Sequence, residues 1–145
     1  MTRRLVRWAH CYRCVYTWRL RRRVARICPR CKSALWAVPK IRPFQLGSGL
    51  GIEEVLTPHL TEVRRLARRY GAREILVFGS VRRREATANS DVDLMVRWAR
   101  PVSLLDRAGL QLGLERALGR TVDLVNRGGL HWAIAPQVES EAVAL

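Results

Sequence analysis

The chain has 145 residues, 48% of them hydrophobic, which is enough for a folded core and excludes a wholly disordered chain. It carries 27 Lys and Arg against 12 Asp and Glu, and residues 1–45 hold 13 of the basic residues and no acidic one. Such a segment is typical of proteins that bind nucleic acid or an acidic protein surface. The sequence has no apolar run of membrane-spanning length and no apolar stretch at its N-terminus, so we expect neither a membrane span nor secretion, and a cytoplasmic location.

The first predicted element is a small cysteine module over residues 1–40. Its cysteines form two C-x2-C pairs separated by 13 residues, Cys11 with Cys14 and Cys28 with Cys31. Two such pairs supply the four thiolates of a tetrahedral Zn²⁺ site, and a module this small needs a metal to be stable. We therefore expect structural zinc bound by all four cysteines. A redox dithiol or a rubredoxin-type iron site is the alternative interpretation.

A Pro/Gly-rich linker is predicted over residues 41–56, where Pro43 is followed by Gly47, Gly49 and Gly51. Residues 57–145 then alternate helix and strand. The pattern predicts a helix over 57–70 with Thr57 as its N-cap, strands over 73–80 and 91–98, a helix over 101–119 and a strand over 120–125. A final helix, broken or kinked near Pro136, and a last edge strand complete an α/β domain.

Two acidic residues on the second predicted strand are unusual in so basic a chain. Asp91 and Asp93 alternate with Val92, so both carboxylates lie on one face and repel each other unless a cation lies between them. Hard oxygen ligands favour Mg²⁺ or Mn²⁺. Asp123 lies at the centre of the third strand among apolar neighbours, and we expect it to be a buried third ligand. Each acid alone also fits an ordinary strand.

Gly79 and Ser80 directly follow the buried strand "ILVF". Glycine allows close approach of the backbone, and the backbone N–H groups and the serine hydroxyl are donors to phosphate oxygens. A tight turn after a strand explains the same two residues without any ligand.

Gly-Ser, ten residues, and then Asp-Val-Asp, followed by the aspartate of "RTVDLV", resembles the signature of the DNA polymerase β-type nucleotidyltransferase superfamily. The resemblance covers residues 58–145 and is closest to the minimal nucleotidyltransferases (MNT), which implies a small mixed β-sheet with flanking helices. The segment from His10 to Trp36 is similar to prokaryotic zinc ribbons. One departure is the loop "VRRREATANS", which has Arg84 and Glu85 where the family often has a glycine.

The resemblance implies a role for each matching residue. Asp91 and Asp93 are expected to hold two Mg²⁺ over the triphosphate of an NTP, with ATP as the expected substrate. Asp123 is expected to bind the metal on the nucleophile side and to help deprotonate the acceptor hydroxyl. Gly79 and Ser80 are expected to hold the β- and γ-phosphates. Arg83, with its two arginine neighbours, is a candidate for neutralising them, and a solvated loop explains these arginines equally well.

The resemblance further implies transfer of a nucleoside monophosphate, AMP by expectation, to a hydroxyl acceptor. Many MNT proteins are antitoxins that add AMP to a helical HEPN toxin, and this is the expected role and partner. Two alternatives stay open: a zinc-ribbon adaptor that binds nucleic acid without catalysis, and a nucleotidyltransferase that modifies RNA or a small molecule under the guidance of the basic ribbon.

Overall fold

The computed structural model describes residues 7–21 and 25–145. The chain divides into two compact units. The cysteine unit comprises residues 1–42 and 131–137, and the α/β unit comprises residues 43–130 and 138–145. Over the part of the chain that the structure describes, none of the helices is both long enough and apolar enough to cross a membrane.

The cysteine unit is built on a short antiparallel hairpin. Strands β1 (Trp8–His10) and β2 (Thr17–Arg19) pair with Trp8 opposite Arg19. The first cysteine pair lies in the turn between them, where the Cys11 N–H donates to the Tyr16 carbonyl at 2.9 Å. The indole of Trp132 packs against His10 and Tyr12, with ring centroids 4.7 and 5.2 Å away. Residues 131–137 therefore belong to this unit, which the sequence does not indicate.

The α/β unit contains a four-stranded mixed sheet in the order β5-β4-β3-β6. Its strands are β3 (Ala72–Val77), β4 (Val92–Trp98), β5 (Val122–Asn126) and β6 (Val143–Ala144). β4 runs parallel to β5 and antiparallel to β3, and the short edge strand β6 is antiparallel to β3. The predicted fold class, a small mixed sheet with flanking helices, is confirmed, and so is the final edge strand.

The described residues form five α-helices, of which only two, the second and the fourth, are longer than seven residues. The five are α1 (Ile52–Val55), α2 (Leu60–Tyr70), α3 (Gly79–Arg82), α4 (Leu104–Leu118) and α5 (Ala135–Glu141), and 3₁₀ turns lie at Thr57–His59 and Arg127–Gly129. α4 begins with a capping box in which Ser103 and Asp106 bond reciprocally, and it ends at Gly119 with a left-handed φ of 62°.

Two local predictions about helix ends were wrong. Thr57 is not the N-cap of α2, because Pro58 directs residues 57–59 into a 3₁₀ turn and α2 begins only at Leu60. Pro136 does not break the last helix, because it occupies the first turn of α5, where a missing N–H leaves no helical bond unmade.

The core of the α/β unit lies between the sheet and helices α2 and α4. The residues at alternate positions 92, 94 and 96 of β4 are fully buried in it, together with Leu110 and Leu114 of α4. The side chains at 93, 95 and 97 consequently project from the other face of the sheet. The alternation along β4 therefore places Asp93 away from the core cluster that the helices form.

The segment predicted as a linker is ordered over its second half. The N–H groups of Gly47 and Gly49 donate to the carbonyls of Arg83 and Arg84 at 2.8 and 2.7 Å, so the segment runs alongside the loop that follows α3. A Cβ on Gly49 would lie 2.7 Å from a backbone oxygen, which explains the glycine by close packing. Leu56, at the end of the segment, is fully buried in the core of the α/β unit.

Candidate functional site

The sheet register brings two of the predicted aspartates side by side. β4 and β5 are parallel neighbours, and the Cα atoms of Asp93 and Asp123 are directly paired in that register. Neighbouring strands lie about 4.8 Å apart, so these two side chains emerge next to each other on the same face. Asp91 lies one residue before β4 begins and completes the acidic set.

The three aspartates differ in exposure. Asp91 and Asp123 are exposed and Asp93 is half-buried. The expectation that Asp123 is buried was wrong, because its apolar neighbours Val122 and Leu124 face the core while the aspartate faces the opposite, open side of β5. Strand alternation thus allows a charged side chain in an apolar strand at no burial cost.

The environment of Asp93 disfavours its charged form. Burial raises the pKa of Asp93, and the carboxylates of Asp123 and Asp91 raise it further; the Ser80 backbone N–H and the Arg83 guanidinium oppose this rise. A divalent cation would convert the repulsion among the three carboxylates into attraction, and their oxygens are the ligand type that Mg²⁺ prefers. The chemistry of this donor set therefore fits a divalent cation.

The carboxylate set is more open than a preformed cage. Within residues 7–21 and 25–145, the four cysteines are the group of candidate ligands close enough to hold a metal ion, and the three aspartates do not form such a group. Sites that hold Mg²⁺ through one or two carboxylates complete the coordination with water and substrate phosphates. The open arrangement is consistent with a metal that arrives together with a nucleotide.

Gly79 packs directly against the acidic set. Its φ is +71°, in the left-handed region, and a Cβ built on it would lie 2.0 Å from Oδ2 of Asp93. No other residue fits this position without displacing the carboxylate. The Ser80 backbone N–H that follows lowers the pKa of Asp93, so the turn after β3 influences the charge of the aspartate through its backbone.

A buried glutamate that no sequence pattern indicates holds this turn in place through hydrogen bonds. Glu141 is 5% exposed, and its Oε1 accepts the Gly79 N–H at 3.1 Å and the Nη1 of Arg83 at 2.9 Å. Its backbone carbonyl accepts from Nε of Arg82 at 3.0 Å. No local motif marks Glu141 in the stretch "ESEAVAL". Only the tertiary structure brings it into contact with Gly79, which lies 62 residues earlier in the sequence.

The three arginines after Ser80 have partners within the protein. Arg83 forms salt bridges to Glu85 and Glu141 at 2.8 and 2.9 Å, and the hydrogen bond that it donates to Glu85 is the main reason that its pKa is raised. Arg82 lies over the ring of Phe44, 4.1 Å from its centroid. Arg83 is thus already neutralised in this structure, and its contact with phosphates stays a prediction.

Arg84 takes the backbone conformation that glycine favours. Its φ is +59°, and its guanidinium pairs with Glu54 of α1. A left-handed conformation costs a non-glycine residue about 1–2 kcal/mol. The loop that follows the Gly-Ser turn therefore contains a left-handed residue that is not glycine.

The four cysteines form a second candidate site, in the cysteine unit. Their sulfurs all lie within 4.8 Å of one another, and the pairs Cys11–Cys31 and Cys14–Cys28 are 3.7 Å apart. A tetrahedron with Zn–S bonds of about 2.3 Å has edges of about 3.8 Å, whereas a disulfide needs about 2.05 Å. The cluster therefore fits a zinc ribbon, as predicted.

The hydrogen bonds of the cysteine cluster favour a thiolate at Cys28. Burial would raise its pKa, but the backbone N–H groups of Cys31 and Arg30 lower it, to about 7. Burial raises the pKa of Cys14 to about 11. Because metal binding requires deprotonated sulfur, binding of a cation to this cluster releases protons near neutral pH.

A mixed sheet that carries adjacent aspartates beside a Gly-Ser turn is the arrangement of a nucleotidyltransferase. Residues 60–145 match the family described as "Nucleotidyltransferase domain". The "Protein adenylyltransferase MntA" of Thermococcus cleftensis is 46% identical over 92 residues, which are 63% of this chain and 90% of the relative. The chain therefore belongs to the nucleotidyltransferase domain family, among the MntA-like minimal nucleotidyltransferases, and it is a nucleotidyltransferase.

Solved structures agree with this assignment. One, described as a minimal nucleotidyltransferase by assignment, is 41% identical with a TM-score of 0.58 and covers 68% of this chain and 100% of that chain. Another, described as a toxin-antitoxin with AMP-PNP, is 27% identical with a TM-score of 0.51 and covers 58% of this chain and 69% of that chain. The family match begins at residue 60, so all four cysteines lie outside it.

Proposed function

We propose that the protein transfers AMP from ATP, with Mg²⁺, to a hydroxyl group of a partner protein of the HEPN toxin type. The observation that carries the proposal is the pairing of Asp93 with Asp123 across parallel strands, beside Gly79 and Ser80. Asp91 and these two aspartates would hold the Mg²⁺. Bound there, the metal would supply charge neutralisation for the triphosphate and the pyrophosphate that leaves.

The residues of the chain have distinct tasks in the proposed reaction. The acceptor oxygen attacks the α-phosphorus, the new O–P bond forms, and the bond between the α-phosphorus and the bridging oxygen to the β-phosphate breaks, which releases pyrophosphate. Asp123 is exposed and takes the proton of the hydroxyl as that bond forms. Gly79 and Ser80 bind the phosphates through the turn after β3, which Glu141 holds in place.

Two findings support a protein as the acceptor. The relative from Thermococcus cleftensis, which this chain matches over 90% of its length, bears the name of a protein adenylyltransferase. A solved neighbour with the same fold is described as a toxin-antitoxin with AMP-PNP. We extend both descriptions to this chain as proposals, with ATP as the nucleotide and a HEPN toxin as the acceptor.

We also propose that the cysteine unit holds one structural Zn²⁺ through Cys11, Cys14, Cys28 and Cys31. The 3.7 Å separations between sulfurs support this proposal. Four cysteine ligands leave no open position on the ion, so its role is to stabilise the unit and not to take part in chemistry.

The test uses purified full-length protein, Mg²⁺ and ATP labelled at the α-phosphate, incubated with extract of the cells from which the protein comes. Products are divided into protease-sensitive and nuclease-sensitive fractions. The variants Asp93→Asn and Asp123→Asn remove a charge from the acidic set without changing its size. Glu139→Gln, an exposed residue that pairs only weakly with Arg127 at 3.3 Å, is the matched control.

Label in the protease-sensitive fraction, lost in both aspartate variants and kept in Glu139→Gln, is the expected result. Label in the nuclease-sensitive fraction would replace the protein acceptor by RNA or DNA. Transfer by Asp93→Asn at the wild-type rate would refute the assignment of the site. Absence of aspartate-dependent label with each of the four NTPs would leave the binding adaptor as the better interpretation.

A further inference from the structure

The charged side chains of the cysteine unit are all positive. Its residues, 1–42 and 131–137, include 13 Lys and Arg and no Asp or Glu, whereas the α/β unit is nearly balanced with 14 basic and 12 acidic residues. Four thiolates with one Zn²⁺ carry a charge of −2, so the filled unit keeps about +11. None of the salt bridges among the described residues involves this unit. The cations of this unit that lie within residues 7–21 and 25–42 therefore form no salt bridge to a carboxylate of a described residue.

Most of these cations face solvent. The exposed ones among the described residues are Arg7, Arg19, Arg21, Arg26, Arg30, Lys32, Lys40 and Arg42. Six of the eight are arginines, whose planar guanidinium groups bind phosphate oxygens through paired hydrogen bonds. The distribution of charge fits a polyanion whose negative groups recur along its length.

Aromatic rings lie among these arginines. Tyr16 directly precedes β2 and Trp18 lies within it. Their rings are nearly parallel, with an interplanar angle of 8° and centroids 6.1 Å apart. The guanidinium of Arg30 lies over the Tyr16 ring, 5.8 Å from its centroid, and Tyr16 is 38% exposed. Tyr16 and Trp18 are aromatic side chains of the kind on which unpaired bases stack.

The rings and Arg30 are held in place by the rest of the unit. Trp18 packs edge-on against Trp36, 5.0 Å between centroids, and the indole N–H of Trp36 donates to the Ala25 carbonyl at 3.1 Å. Arg30 lies inside the second cysteine pair, so a metal bound there fixes its backbone. A preformed surface loses little conformational freedom on binding.

We propose that this face of the cysteine unit binds single-stranded nucleic acid. The unpaired arginines contact the phosphates, and Tyr16 with Trp18 stacks on exposed bases. Single strands are favoured over duplexes because only unpaired bases expose their faces to the rings. The proposal goes beyond AMP transfer and is measured without nucleotide or Mg²⁺, so it stands or falls independently of the proposed activity.

The test is fluorescence anisotropy with full-length, zinc-loaded protein and a labelled oligouridylate of about 20 nucleotides, longer than the site of one small module. The affinity is measured between about 50 and 300 mM salt, and a DNA strand and a DNA duplex of the same length are compared. We expect micromolar or tighter binding of single strands and a steep fall of affinity with salt. Equal affinity for DNA and RNA strands would define the ligand as single-stranded nucleic acid in general. A higher affinity for the RNA strand would define the ligand as single-stranded RNA.

Three variants separate stacking from charge. Tyr16→Ala is expected to weaken binding about tenfold, since one base–aromatic contact contributes about 1–3 kcal/mol. Tyr16→Phe keeps the ring and is expected to bind like the wild type. Arg30→Gln is expected to lower the slope of log K against log salt by about 0.7, the contribution of one phosphate contact on a single strand. Arg64→Gln, an exposed arginine of α2, is the matched control.

Several outcomes would overturn the proposal. They are absence of binding near physiological salt, equal affinity for the duplex, and equal loss of affinity in Arg30→Gln and Arg64→Gln. Displacement of the oligonucleotide by polyglutamate at equal charge concentration would assign the surface to an acidic protein instead. The zinc content of each variant is measured, and wild-type affinity of Tyr16→Ala with its zinc intact would refute stacking.

Discussion

Removal of the Glu141 carboxylate is the sharpest test of how the fold holds the Gly-Ser turn. Glu141 is almost completely buried, and one of its oxygens accepts from both the Gly79 N–H and the Arg83 guanidinium. Glu141→Gln keeps the size of the side chain and one accepting oxygen, but it removes the negative charge. Glu141→Ala removes both the charge and the acceptor.

The magnitude follows from what each variant leaves unsatisfied. A hydrogen bond to a charged group contributes about 1.5–3 kcal/mol, and we take the lower limit because Arg83 is 32% exposed and keeps Glu85. Glu141→Gln should therefore cost about 1.5 kcal/mol. Glu141→Ala also leaves the buried Gly79 N–H without an acceptor, which costs a further 1–3 kcal/mol or so, and the total cost is about 2.5–4.5 kcal/mol. Typical domains have only about 5–15 kcal/mol of stability in total.

The assay is thermal unfolding followed by circular dichroism, together with AMP transfer. For a unit of roughly 100 residues, about 1.5 kcal/mol lowers Tm by about 6–12 °C. Both variants should also transfer AMP more slowly at temperatures where they are folded, because the turn that packs against Asp93 is loosened. Glu139→Gln, whose side chain is 48% exposed, should cost at most about 1 kcal/mol. If Glu141→Gln and Glu139→Gln unfold at the same temperature, the reasoning about the buried contact is wrong.

Three further predictions concern the acidic site, the cysteine cluster, and the contact between Glu54 of α1 and Arg84. Gly79→Ala should abolish AMP transfer and lower Tm, because a Cβ would lie 2.0 Å from the Asp93 carboxylate; the Gly128→Ala control has no atom within 4 Å of its Cβ and should be nearly neutral. Removal of zinc by a strong chelator, or the variant Cys28→Ser, should lower the bound zinc from about one ion per chain, as measured by metal analysis, and should unfold the cysteine unit. Unfolding is measured by near-ultraviolet circular dichroism. An unchanged circular dichroism signal in the metal-free protein would contradict the structural role of zinc. The Gly51 N–H, and then Arg84, lower the pKa of Glu54. This carboxylate therefore stabilises the fold above its unfolded pKa of about 4.5, and the contribution is lost as the pH falls through the lower folded value. Glu54→Gln should accordingly lower Tm at neutral pH, and the Tm values of variant and wild type should converge in acid; a difference that is independent of pH would exclude the linkage.

Much of this architecture follows from local patterns. Alternation along "VDLMV" places Val92 in the core and Asp93 on the other face, and the helix predicted over 101–119 ends at Gly119. The two C-x2-C pairs predict the cysteine cluster because two knuckles and four thiolates have few other arrangements. In each case the information lies within a few residues, so strand period, capping and ligand spacing are sufficient.

Contacts between residues that lie far apart in the sequence do not follow from local patterns. The pairing of Asp93 with Asp123 depends on β5 lying parallel to β4, and the contact of Glu141 with Gly79 joins residues 62 positions apart. The Gly49 N–H donates to the Arg84 carbonyl, so part of the segment predicted as a linker packs against the loop after α3. None of these contacts leaves a periodic trace in the sequence.

By itself, the sequence determined the main strands and helices, the acidic set, the Gly-Ser turn and the cysteine cluster, because each depends on side-chain chemistry and local backbone preference. Only the tertiary structure decided that Asp123 is exposed, that Arg83 is paired, and that Glu141 fixes the turn. The physical reason is that burial and partner choice depend on which strands become neighbours. That choice is made by the packing of the whole core and not by any single segment.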